Sequence, residues 1–146
     1  MASSWRARAL EVAWLLVCGV ASSAWCLTAA GQLGATFDEP IYVSEGLKRW
    51  HTGSTAGLMK LGTMPLPVDV QTLPLYVWER WRGRPIDPTA ELDHVLPYAR
   101  AATLLFWWLL LIAAWRAARA LGGRGAAALA VAFLASEPVL AAHAGL

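Results

Sequence analysis

Nine consecutive uncharged residues, Leu104-Leu105-Phe106-Trp107-Trp108-Leu109-Leu110-Leu111-Ile112, sit inside an apolar block at 99–121. A hydrocarbon layer of ~30 Å needs about 20 residues of helix, so this block can cross a bilayer. Two further blocks accompany it. The first, 9–33, holds a single ionisable residue, Glu11, near its start; the third, 126–146, is alanine-rich and interrupted by Glu137-Pro138. Glu137 would oppose insertion by about 2–3 kcal/mol at the centre of a bilayer. The chain is 58% hydrophobic and only 15% charged, which excludes an ordinary soluble globule of this size. The expected fold is an all-α membrane protein with three transmembrane helices at 9–33, 99–121 and 126–146, and a helical outer loop, 34–97, between the first and second.

Orientation follows from the basic residues, since Lys and Arg beside spans stay on the cytoplasmic side. Arg6 and Arg8 precede the first span, and Arg116, Arg119 and Arg124 surround the turn between the second and third. The 34–97 segment has six basic residues (Lys48, Arg49, Lys60, Arg80, Arg82, Arg84) and eight acidic ones (Asp38, Glu39, Glu45, Asp69, Glu79, Asp87, Glu91, Asp93), a net of −2. The amino terminus is therefore expected in the cytoplasm and the loop outside a plasma or inner membrane, with Trp25, Trp50, Trp78, Trp81 and Tyr98 near the outer interface. A cleaved signal peptide is the rival reading of the first block, with Ser22-Ser23-Ala24 as the cut; the apolar run continues past it through Trp25-Cys26-Leu27. The formal charge of +2 is too small to argue for nucleic-acid binding. Cys18 and Cys26 both lie in the first block and suggest neither a disulfide framework nor a zinc site.

The loop is far longer than a connection needs and is expected to carry helices. Asp38 can cap one in which Pro40 needs no donor, with Val43, Leu47 and Trp50 on one face, Glu45 and Arg49 paired on another, and Gly53 at its end. That face suits a helix lying on a membrane surface. Over Leu73 to Trp81, with Pro74 early, Leu73, Val77 and Trp81 repeat the pattern on one face, whereas Met64-Pro65-Leu66-Pro67 is expected to be an extended turn. The acidic pair Asp38-Glu39, just after the first span, is where chemistry is expected: a carboxylate beside low-dielectric lipid and a second negative charge should hold a proton more readily than usual, as a general base or cation ligand does. Capping and the helix dipole by themselves favour acidic residues at a helix start. His51 and His143 are expected at the interface rather than on a metal, and Asp93-His94 supplies two adjacent ligands without a third.

Gly34-Ala35-Thr36-Phe37-Asp38-Glu39-Pro40-Ile41-Tyr42, directly after a first span, resembles the opening of the first outer loop in the polytopic GT-C glycosyltransferases, particularly the protein mannosyltransferase and lipid A aminoarabinose transferase group. The end of the chain, from Leu134-Ala135-Ser136-Glu137-Pro138 to His143-Ala144-Gly145-Leu146, resembles the end of their third span. The chain departs from that group in its Met64-Pro65-Leu66-Pro67 turn, where a His-Pro-Pro-like sequence is common. The resemblance covers the opening portion of such an enzyme, so the gene is expected to run on into further spans and the 146-residue chain to be inactive by itself. It implies transfer of a sugar from a polyprenyl- or dolichyl-phosphate donor to a protein, lipid or glycan acceptor at the outer membrane face. Asp38 would be the catalytic carboxylate, Glu39 its neighbour and tuner, and Arg80, Arg82 and Arg84 candidate phosphate-holding residues. The cofactor is left open, a divalent cation included. A small non-catalytic membrane accessory protein, in which Asp38 is only a helix cap, is the alternative.

Overall fold

The structure, a computed structural model, describes residues 2–32 and 34–137; expectations placed on Leu33 and on 138–146, His143 among them, lie outside the described residues. These residues form five helices and no strand: α1 (Ala2–Gln32), α2 (Glu39–Thr52), α3 (Ala56–Lys60), α4 (Pro65–Arg82) and α5 (Leu92–Ser136). α1, over Trp5–Gln32, and α5 are long and apolar enough to cross a membrane. The chain divides into two compact units, Met1–Ala29 with Leu104–Leu146, and Ala30–Thr103.

The first unit joins α1 to the later part of α5. At Gly123, φ is 74° and ψ −159°, a combination open essentially to glycine alone, and there α5 is broken. Leu111 and Val131, on either side of the break, share one core cluster with Leu15 and Trp107. A straight helix would hold them roughly 30 Å apart, so the chain turns back at Gly123. The Trp108 ring lies where a side chain on Gly19 would have to go, and Trp107 Nε1 donates to Ser22 Oγ over 2.9 Å. Ser22 Oγ in turn donates to the Cys18 carbonyl, so no polar group of this pair is stranded. Glu11, the lone acid of the first apolar block, is paired with Arg119 and, at 2.7 Å, with Arg124. Cys18 and Cys26 are free thiols.

The second unit is built on α2 against α4. Val43 and Leu47 from α2 meet Leu75 from α4 and Ile86, Val95 and Ala99 in one buried cluster. A Cβ on Gly46 would come within 2.6 Å of Thr72 and 2.8 Å of Val68, so glycine sets how closely these helices approach. Gly53 ends α2 with φ 73°, as its position in the sequence suggests. Three expectations are corrected. The stripe of Val43, Leu47 and Trp50 is not left for lipid: the first two are core, and Trp50 stacks on Tyr76 at 5.5 Å and donates to Thr72 Oγ1. Only Met64 is extended; Pro65 and Pro67 fall in the first turn of α4, where a missing N–H costs nothing, and the helix then runs on through Pro74. Glu45 pairs with Lys48 instead of Arg49, which reaches Asp69.

Candidate functional site

The acidic pair separates into two different environments. Glu39, the first residue of α2, is 4% exposed, and its partner is Arg100, 1% exposed, in the first turns of α5. Arg100 Nε donates to Glu39 Oε1 over 2.7 Å and Nη2 to Oε2 over 2.8 Å, a two-pronged contact in which the planar guanidinium matches the carboxylate. The same guanidinium donates from Nη1 to the Ala30 carbonyl at 2.6 Å and from Nη2 to the Gly34 carbonyl at 2.9 Å. Arg100 thus closes the end of α1, the 34–38 segment and the head of α2 into one knot. The backbone N–H of Thr36 adds a third bond to Glu39, at 2.7 Å. Burial pushes the Glu39 carboxyl up, but Arg100 and the Thr36 N–H outweigh it and hold the group below the usual carboxylate range, opposite to what the sequence suggests for the pair.

Asp38 stands outside this knot. Its side chain is exposed, and among the described residues its one contact is the Thr36 hydroxyl, which donates to Oδ1 over 3.0 Å. It occupies the N-cap position of α2 but makes no side-chain cap. The reason is local: the second helical position is Pro40, which has no N–H, while the N–H groups of Ile41 and Tyr42 already reach the Asp38 carbonyl at 3.1 and 3.0 Å. No first-turn donor remains at the positions a capping carboxylate serves.

Arg80, Arg82 and Arg84 have contacts of their own, away from Asp38 and Glu39. Arg82 is spent on Glu91, with Nη1 to Oε2 at 2.7 Å and Nη2 to Oε1 at 3.1 Å, and on the carbonyls of Arg84 and Pro85. It holds Glu91 well below the usual range, at about 2. Arg84 lies 3.5 Å from that same carboxylate, and Arg80 sits over the Tyr76 ring.

Arg100 and Glu79 are buried charges outside the pattern read from the sequence. Arg100 is a lone cation opening an apolar block, and a charge in such a place needs a partner. Glu79, 4% exposed, accepts from the Ile86 N–H at 2.7 Å and lies 2.8 Å from His51 Nε2. Nothing in the spacing of His51 and Glu79 announces that pair. α4 has two faces: Val68, Gln71, Thr72, Leu75 and Glu79 are buried, while Leu66, Leu73, Val77 and Trp81, on the opposite side, are exposed, Trp81 by 85%. No group of three or more His, Cys, Asp or Glu side chains converges among the described residues. Compared with protein-family models, curated proteins and solved structures, the chain matches none.

Proposed function

We propose that this chain is the membrane-embedded opening part of a GT-C-like glycosyltransferase that moves a sugar from a polyprenyl-phosphate donor to an acceptor hydroxyl or amine at the outer membrane face. The observation that carries the reading is the exposed Asp38 carboxylate, which the helix does not need as a cap, on a backbone pinned by the buried Glu39–Arg100 contact. A general base has to be held in place while its oxygen stays open to the substrate. Asp38 takes the proton from the acceptor as its oxygen or nitrogen bonds the anomeric carbon; the carbon–phosphate oxygen bond breaks, and the lipid phosphate leaves as a stabilised anion without a protein acid. Glu39 acts through position, fixing the head of α2.

In this reading α1 and α5 cross the membrane, and the part of α5 that follows the break at Gly123 begins the third span. Exposed Leu10, Val17, Val20, Leu105 and Leu109 then face lipid. The amino terminus is cytoplasmic and 34–97 is outside, where the open face of α4, ending in Trp81, meets the headgroup region. In the enzyme carrying these residues, Asp38→Asn should reduce transfer from a polyprenyl-phosphate sugar by about 100-fold or more at unchanged abundance. Transfer at the wild-type rate would remove Asp38 from the reaction.

A further inference from the structure

We propose that the second unit binds a phosphate group in the cavity between the ends of α2 and α4, with His51, Arg80 and Arg84 as its ligands. The cavity, about 410 Å³, is lined by His51, Glu79, Arg80, Gly83, Arg84 and Pro85. Its charge is unbalanced. Arg80 has no carboxylate within ion-pair distance among the described residues and rests on the Tyr76 ring, 5.8 Å from its centre. Arg84, 68% exposed, reaches Glu91 only at 3.5 Å, on the oxygen that Arg82 already holds at 2.7 Å.

Basic residues in the last turn of a helix normally answer the negative end of its dipole. Arg82, in that turn, is consumed instead by Glu91 and by the Arg84 and Pro85 carbonyls just past the helix end. Two guanidinium groups are left over, and the one acid in the cavity wall, Glu79, is turned inward to the Ile86 N–H and to His51. The Glu79 carboxylate, which already accepts the Ile86 N–H, lies 2.8 Å from His51 Nε2 and so fixes the orientation of the imidazole. Two forked donors and an oriented imidazole fit the oxygens of a phosphate ester, and the cavity has room for the group it carries. The site stands on these residues alone and does not require the sugar-transfer reading.

The phosphate can belong to a soluble ester or to a phospholipid headgroup, and the test separates them. The chain is placed in maltoside detergent micelles, which hold no phosphate, and its imidazole signals are followed by NMR as inorganic phosphate replaces chloride at constant ionic strength; His51→Asn assigns the His51 signal. A second preparation has phosphatidylglycerol mixed into the micelles and receives no inorganic phosphate. Saturable movement of the His51 signal with inorganic phosphate supports the site with a soluble ligand. Movement only in the micelles with phosphatidylglycerol supports it with a lipid headgroup. In either case Arg80→Gln with Arg84→Gln should weaken the response about tenfold or more, while Lys60→Gln, a charge loss elsewhere on the unit, leaves it unchanged, and the His94 signal reports that the fold is intact. If neither phosphate source moves His51, or the double variant responds like the wild type, the proposal is overturned.

Discussion

At the scale of residues, the second unit depends on a buried charge whose removal leaves another charge stranded. Arg100→Gln takes away both bonds to Glu39 and those to the Ala30 and Gly34 carbonyls. Breaking a buried pair from one side typically costs about 3–5 kcal/mol, so the variant should lose protease resistance across 34–60. Glu39→Gln with Arg100→Met, which removes both charges, should recover much of it. Unchanged proteolysis in Arg100→Gln would mean the knot holds nothing together. The acid response has a definite sign. Glu91 falls from the ordinary 4.5 to about 2 in the folded chain, and Glu39 is also lowered. Lowered carboxylates contribute stability that is present in full above the unfolded value and is lost as pH drops through the folded one. Thermal unfolding should therefore be level above about pH 5 and fall between pH 4.5 and 2, and Glu91→Gln should flatten that fall. A melting temperature that rises on acidification would contradict it. Asp38-Glu39 is conspicuous in the sequence, as two adjacent acids after an apolar block. Their separation into an exposed and a buried carboxylate is not legible there, since it depends on Arg100, 61 positions further on from Glu39.

At the scale of elements, periodicity found the faces of α2 and α4 and could not say what covers them. Both helices carry apolar residues at helical spacing, and only packing decides which stripe meets protein and which is left open. Val43 and Leu47 are consumed by Leu75 and Val95, while Leu73, Val77 and Trp81 remain uncovered. Two tryptophan replacements separate these cases. Trp50→Glu removes a ring stacked on Tyr76 and bonded to Thr72, and should lower stability by about 2–3 kcal/mol. Trp81→Glu, at a position 85% exposed, should leave unfolding nearly unchanged and expose the 53–62 and 83–90 segments of membrane-bound protein to added protease. Equal losses of stability in both variants would deny the two-faced α4. Gly46→Ala tests the helix contact itself: a methyl there meets Thr72 and Val68 and should cost about 1–3 kcal/mol. The start of α4 was missed for a simple reason. Pro65 and Pro67 look like helix breakers, but in a first turn they give up no hydrogen bond.

At the scale of the whole molecule, composition carried the most. Helices at 9–33 and 99–121 follow from block length alone, and the apolar stretches of α1 and α5 cover them up to Gln32. The turn signal Gly122-Gly123-Arg124-Gly125 marks where α5 breaks, because a backbone at φ 74° and ψ −159° excludes side chains. Glu11 was visible as an isolated acid, and its arginine partners are those read as the cytoplasmic charge cluster. Whether the Asp38 carboxylate faces the outer side of a membrane is tested most directly by cysteine labelling in intact cells with an impermeant thiol reagent. In a chain with Cys18 and Cys26 replaced by alanine, single cysteines go to exposed Asp38, Lys60 and Arg116. Positions 38 and 60 should label in intact cells and position 116 only after permeabilisation. Labelling at 116 without labelling at 60, or recovery of the chain in the soluble fraction, would contradict it.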